Sequence, residues 1–180
     1  MPNSDFANFV ASQQKPEAVS FDWEKERTDY LANVANLYER ARDYLGEYLA
    51  NSSVKISSDE VEVDEESYGS YRISRLLIDI GHQRVFLEPV GTMLIGSKGR
   101  VDLIGSIKRV PILLIRESVK SASDMIHVSV SISGAKPSPP PPRPPKEPWV
   151  WKLRSKRNPD AFDDLNKDTF LTAILDASRR

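Results

Sequence analysis

Three carboxylates are the residues whose types and spacing come closest to a catalytic site. Asp79, Glu88 and Asp102 each lie in a short β-branched segment, and these segments read as successive strands. Carboxylate oxygens are the ligands that Mg²⁺ prefers, and a bound metal with a nearby lysine can steady an attacked phosphate. The sequence therefore raises a metal-dependent nuclease, or a degenerate relative of one, as an alternative function.

The order of these segments resembles that of the PD-(D/E)xK nucleases, in which an Asp strand precedes a strand with Glu-x-Lys. Asp102 lies in Gly99-Arg100-Val101-Asp102-Leu103, and the next strand reads Leu113-Leu114-Ile115-Arg116-Glu117, without Glu-x-Lys. Starting from Asp79 instead gives Glu88-Pro89-Val90, where Val replaces the lysine. The resemblance covers the topology and one Asp, and it stops at the residues that would do the chemistry.

Ion pairing is the other interpretation of the same carboxylates. Oppositely charged residues that face each other across a hairpin attract. Asp102 would then pair with Arg100 or Arg109, and Asp79 and Glu88 would pair with Arg75 and Arg84.

Other catalytic patterns fail at a required residue. Gly91 to Lys98 has the glycine spacing of a phosphate-binding loop, but Ser precedes Lys and no helix follows, so a hairpin turn is favoured. His82 and His127 are predicted to be exposed, with a general base as the alternative. Because the chain has two separated histidines and no cysteine, we predict no metal site and no cofactor.

A proline-rich segment favours binding instead of catalysis. Residues 136–148 carry eight of the thirteen prolines, which exclude a helix or an inner strand and predict a semi-rigid linker. The segment also contains a loose Pro-x-x-Pro-x-basic pattern that could dock in an aromatic groove, formed by Pro141, Arg143, Pro144 and Lys146.

The segment after the linker mixes aromatic and basic residues. Trp149, Trp151, Arg154 and Arg157 have the composition of a single-stranded nucleic-acid platform, where bases stack on rings and cations meet phosphates. The same pattern is typical of a strand with one face in the core and the other in water. We favour the strand and keep nucleic-acid binding as an alternative.

Two charged segments have opposite signs. Asp59 to Glu66 holds six carboxylates in eight residues, and residues 136–157 hold seven bases and one acid. The acidic run lacks the spacing of a calcium loop, so we expect a solvated loop or an edge strand whose charges deter pairing. The two segments could meet within the fold, between copies, or each meet a partner.

The elements that position these residues begin with a helix over 22–49. Asp22 can cap it, and apolar residues recur three or four apart. Four tyrosines along it, which could serve the core or an interface, are Tyr30, Tyr38, Tyr44 and Tyr48.

Strand-like segments follow, separated by turns too short for parallel crossovers, which predicts an antiparallel meander of five to seven strands. They are 71–80, 84–88, 92–95, 100–104, 109–115 and 126–132. A strand near Trp149 and a helix capped by Asn166 complete the chain.

These observations predict an α+β fold in which the long helix packs on the meander. The expected divisions are a mobile lead-in at 1–20, a core domain at 21–135, a linker at 136–148, and a strand–helix element at 149–180 docked on the core or on a second copy. With 39% hydrophobic and 28% charged residues the chain is neither collagen-like nor wholly disordered.

The leading functional prediction is a non-enzymatic protein–protein interaction or assembly protein. It would bind a protein partner, or itself as a homo-oligomer, through the proline-rich segment and the Trp/basic segment. A net charge of −1 gives no overall attraction to nucleic acid or an anionic membrane. The longest apolar runs are too short for a signal peptide or a membrane span, so a cytoplasmic location is expected.

Overall fold

The computed structural model of this 180-residue chain describes residues 22–66, 69–92, 96–125 and 147–179. The predicted lead-in at 1–20, the strand at 126–132 with His127, and the linker up to residue 146 lie outside these ranges.

The predicted long helix is two helices. Helix α1 spans Trp23–Tyr44, and helix α2 spans Gly46–Ala50. The Asp22 carboxylate caps α1 by accepting from the Lys25 N–H at 3.0 Å, as the sequence predicts. The break falls at Leu45, next to Gly46, because glycine stabilises a continuing helix poorly.

Seven antiparallel strands form one sheet in which neighbours in sequence are neighbours in space, so the predicted meander is confirmed. The strands are β1 Val54–Glu65, β2 Gly69–Ile80, β3 Gln83–Gly91, β4 Gly99–Ile104, β5 Arg109–Arg116, β6 Trp149–Arg154 and β7 Phe162–Asp164. A 3₁₀ helix spans Ala122–Met125. The strand predicted from Thr92 is wrong at that residue, because β3 ends at Gly91 and Thr92 lies in a bend.

Helix α3, Lys167–Ser178, begins at Asn166 with the predicted cap. The Asn166 side chain accepts from the Thr169 N–H, and the Thr169 hydroxyl accepts from the Asn166 N–H, both at 2.9 Å. Residues of β6 and α3 share one hydrophobic core with α1, so the C-terminal segment packs on its own chain and the α+β class is confirmed.

The β1–β2 hairpin changes the face that it turns to the core. Near its base the core residues are even-numbered, and near its tip they are odd-numbered, although the pairing continues one to one from 54↔80 to 65↔69. The base contributes Val54, Ile56, Leu76 and Ile78, and the tip contributes Val61, Val63, Tyr71 and Ile73. The hairpin must therefore twist strongly, as two-stranded ribbons do.

Tyr38 of α1 binds the sheet where β2 and β3 stop pairing. The last paired residues are Leu76 and Leu87, and beyond them the strands part. The Tyr38 hydroxyl shares its proton between the carbonyl oxygens of Ser74, at 2.7 Å, and Leu87, at 3.1 Å. The helix thus satisfies main-chain acceptors at the point where the sheet divides.

Tyr30 has the same role at β3 and β4, whose pairing shifts register between Pro89 and Gly91. Its hydroxyl accepts from the Gly91 N–H at 3.2 Å and donates to the Arg100 carbonyl at 2.7 Å. The ring lies so close to Gly99 that an added Cβ would be 2.5 Å from it, which requires glycine there. The tyrosines that could have served an interface are, at these two positions, core residues.

Removing the Tyr38 hydroxyl should leave two main-chain acceptors unsatisfied. We expect Tyr38→Phe to lower the free energy of unfolding by about 1–3 kcal/mol, because buried acceptors without donors are costly. Urea denaturation at neutral pH measures this loss. Tyr48→Phe is the matched control, since Tyr48 is exposed, and it should change stability by no more than about 0.5 kcal/mol. Equal effects of the two variants would contradict this role of Tyr38.

The two buried tyrosines also predict an alkaline limit to stability. Burial raises the pKa of Tyr30 and of Tyr38 well above the ordinary value of about 10. Above pH 10 the unfolded chain therefore releases phenolic protons that the folded chain keeps, and stability falls as pH rises. Urea denaturation from pH 8 to 11 should show that the free energy of unfolding falls less steeply with pH in Tyr30→Phe/Tyr38→Phe than in Tyr48→Phe. An unchanged slope in the double variant would exclude these hydroxyls as the cause.

Candidate interaction site

The sheet face that points away from the helices carries ion pairs, as the sequence predicts. Asp102 of β4 is fully buried there. Its Oδ1 accepts from Arg100 Nε at 2.6 Å, and its Oδ2 accepts from Arg100 Nη2 at 2.9 Å and from Arg109 Nη1 at 2.8 Å. Both cationic partners foreseen for Asp102 are thus present together.

The other two carboxylates are paired as well. Arg75 bridges Glu88 and Asp59, with N–O distances of 2.9 Å and 2.6 Å. Arg84 binds Asp79 through both carboxylate oxygens. The hydrogen bonds from these arginines lower the pKa of Asp59 and of Asp79, which holds both carboxylates ionised.

The structure does not bring these three carboxylates together. Glu88 and Asp102 lie opposite each other on β3 and β4, but Asp79 faces Arg84, four residues from Glu88 and roughly 13 Å away along the strand. Within the described ranges no group of three or more histidines and acidic residues could hold a metal ion. The arginines around Glu88 and Asp102 would also repel a cation.

The glycine-rich turn before β4 is a structural connection. The Ser97 hydroxyl donates to the Gly99 carbonyl at 2.8 Å and accepts from the Gly99 N–H at 3.1 Å. Lys98 Nζ bonds the Glu26 carboxylate at 3.2 Å. The residue that a phosphate-binding loop would use for its ligand thus ties the turn to α1. His82 lies exposed in the β2–β3 turn, as predicted.

The two tryptophans of β6 have different environments. Trp151 is 3% exposed, and its indole N–H donates to the Asn33 carbonyl of α1 at 3.1 Å. Its prediction as a partner contact is therefore corrected, because its ring belongs to the core. Trp149 is half-buried, and its ring centroid lies 5.4 Å from Lys98 Nζ and 5.5 Å from Arg116 Cζ. Its face already interacts with cations.

The opposite side of β6 anchors the connection that follows β5. Lys152 is fully buried, and its ammonium donates to the carbonyls of Glu117 and Val119, both at 2.9 Å. A third contact, at 3.1 Å, joins it to the Asp164 carboxylate. All three donors of this buried cation are therefore used, which makes Lys152 a structural residue that holds the start of the connection against the sheet.

The two ends of that connection are joined to each other. The Glu117 N–H donates to the Pro148 carbonyl at 3.1 Å, and the Ser118 hydroxyl donates to Glu147 Oε2 at 2.9 Å. The hydrogen bonds from the Ser118 hydroxyl and from the Ser118 N–H lower the pKa of Glu147. The chain thus leaves β5 and returns to β6 at one fixed place. The predicted partner contacts Pro141, Arg143, Pro144 and Lys146 lie outside the described residues.

A groove between β6 and α3 contains the remaining predicted contacts, Arg154 and Arg157. We name it the C-terminal groove. It has a volume of about 410 Å³. Its floor is apolar, one wall is basic and comes from β6 and the following turn, and the α3 wall carries acidic residues and threonines. The floor is Val110, Leu153 and Ala173, the basic wall is Arg154, Lys156 and Arg157, and the α3 wall includes Asp168, Thr172 and Asp176.

The charges of this groove are only partly paired. Lys156 bonds Asp176, and Lys108 approaches the same carboxylate at 4.0 Å. Arg154 and Arg157 are exposed and have no partner among the residues that the structure describes. The sequence indicated the two arginines but missed the acidic wall, because nothing local shows that α3 lies beside β6.

In comparisons with known proteins, no protein-family model, no curated protein and no solved structure matches this chain. Among the described helices, none combines the length and the apolar character needed to cross a membrane. The functional proposal therefore rests on the geometry of the chain.

The substitution Asp102→Ala distinguishes between two roles of Asp102, a structural ion pair and a metal ligand. We expect the free energy of unfolding to fall by about 2–4 kcal/mol, because two arginines lose their buried partner. Removing a ligand from a metal-free site would instead relieve repulsion between carboxylates and stabilise the chain. Chemical denaturation gives the sign, and calorimetry with Mn²⁺ is the companion measurement. A stabilised variant that also loses Mn²⁺ binding would restore the nuclease hypothesis.

Proposed function

We propose that this chain is a non-enzymatic protein–protein interaction or assembly protein that holds a segment of its partner in the C-terminal groove. The observation that carries the proposal is the pair Arg154 and Arg157, which are exposed and unpaired among described residues at the rim of an apolar-floored groove. Apolar burial supplies binding free energy, and charged rims supply orientation and specificity.

The mixed charge of the groove favours a polypeptide over a nucleic acid. Asp163, Asp168 and Asp176 line the same groove as the arginines and would repel phosphates. The stacking surface that single strands need is also missing from β6, since Trp151 is buried and Trp149 already contacts two cations. A polypeptide can present carboxylates to one wall and basic groups to the other.

The proline-rich segment supports a second contact with the same partner. It joins β6 at Trp149, whereas Arg154 is at the other end of this strand, roughly 17 Å away. Two contacts made by one chain raise the effective concentration of the second once the first has formed. The sequence pattern around Pro141 and Pro144 is of the kind that aromatic grooves bind.

Affinity capture from the source cells tests this function. We expect a stoichiometric protein partner to copurify with the tagged full chain and to survive nuclease treatment. We expect Arg154→Glu/Arg157→Glu to capture much less of this partner, because the introduced glutamates would repel the carboxylates of the partner. Lys25→Glu/Lys120→Glu is the matched control, with the same change of charge at exposed lysines outside the groove, and should capture as the natural chain does.

Two results would contradict the proposal. A partner that disappears after nuclease treatment would support nucleic-acid binding instead. Equal capture by the natural chain and by the folded Arg154→Glu/Arg157→Glu variant would exclude the groove.

A further inference from the structure

The outer half of the β1–β2 hairpin does not pair with the neighbouring strand β3. Strand β2 pairs with β3 only from Leu76 to Ile80, so residues 59–65 and 69–75 form a two-stranded extension, which we name the arm. Its odd-numbered residues pack on the core. Its other face is exposed and carries Glu62 and Asp64 on β1 beside Arg72 on β2.

The charges on the exposed face of the arm are poorly satisfied within the chain. Glu62 and Asp64 have no ion-pair partner among the described residues. They are two positions apart on one face of a strand, roughly 7 Å, so their charges repel. Arg72 makes only a 3.8 Å contact with Glu60, and both side chains are mostly exposed. These three charged groups are therefore available for ion pairs with a surface of complementary charge.

The C-terminal groove has the matching arrangement of charge. Its basic wall carries the unpaired Arg154 and Arg157, and its α3 wall carries Asp168. The arm presents two carboxylates on one strand and a guanidinium on the next. If β1 of the arm lay beside the basic wall and Arg72 lay beside the α3 wall, the exposed charges of both surfaces would find partners of opposite sign. The groove has room for side chains, so the arm would lie across its mouth.

The arm and the groove are at opposite edges of the molecule. Strand β1 is one edge of the seven-stranded sheet and β7 is the other. Helix α1 packs on the face between them. The two complementary surfaces therefore meet more readily between copies than within one chain.

We propose that the C-terminal groove binds the arm of a second copy of this chain, so that copies associate head to tail. This inference rests on the proposed function, in which the groove is a protein-binding site, and it names the partner. The contact joins two different surfaces, so each copy keeps a free arm and a free groove. Such contacts form a ring where the rotation closes and an open chain of copies where it does not.

Sedimentation velocity of the full chain at several concentrations and two ionic strengths tests the inference. We expect association at low ionic strength that weakens as salt rises. Arg154→Glu/Arg157→Glu and Glu62→Lys/Asp64→Lys should each lower the association constant by about tenfold or more, because the facing charges become alike. Lys25→Glu/Lys120→Glu is the matched control for the groove variant and should associate normally.

Mixing the two charge-reversed variants gives the decisive result. Each variant is weak alone. In an equimolar mixture the natural arm of the groove variant meets the natural groove of the arm variant, and the acidic groove meets the basic arm, so association should return. A natural chain that stays monomeric at every concentration, or a mixture that stays monomeric, would overturn the head-to-tail contact. If Arg154→Glu/Arg157→Glu still loses a captured cellular protein in that case, the proposed function stands and only the self-association fails.

Discussion

Two tyrosine hydroxyls of α1 bind main-chain groups at the places where the sheet stops pairing regularly. Tyr38 supplies a donor where β2 leaves β3, and Tyr30 bridges Gly91 and Arg100 where β3 shifts against β4. Unpaired main-chain groups are costly when buried, so the sheet can divide there only because the helix provides replacement partners. This constraint fixes α1 on the sheet and lets the β1–β2 hairpin leave β3 and become the arm.

The positions and partners of the charged residues follow from that arrangement. With α1 and α3 on one face of the sheet, the other face carries no α-helix among the described residues, and its charges pair along and across the strands, with Arg75 between Asp59 and Glu88. Asp102 is buried in the same face and needs both of its arginines. The arm and the C-terminal groove at the edges each group exposed charges of both signs, several of which lack partners among the described residues, and for that reason we assign function to the edges.

Local patterns in the sequence predicted most of the elements, but they did not predict β7, left the acidic part of β1 open between a loop and an edge strand, and failed where distant segments meet. The spacing of apolar residues predicted α1, the short turns predicted the order of strands, and residues facing across hairpins predicted the ion pairs of Asp102. Polar residues on both faces of β1 near Asp59 conceal the change of face in the hairpin. Glu65 was therefore counted among solvated carboxylates, although it is buried against Thr92. The groove was missed because its walls come from β6 and α3, which only tertiary packing brings together.

Hydrogen exchange of the Gly91 amide is the most direct test of the constraint on which the fold depends. Its N–H donates to Tyr30, so the account predicts strong protection in the natural chain. In Tyr30→Phe the protection of Gly91 should fall much further than that of amides in the β5–β6 ladder, which report global stability. Rapid exchange of Gly91 in the natural chain, or an equal loss at Gly91 and in β5–β6, would contradict the claim that the helix hydroxyl replaces a strand partner.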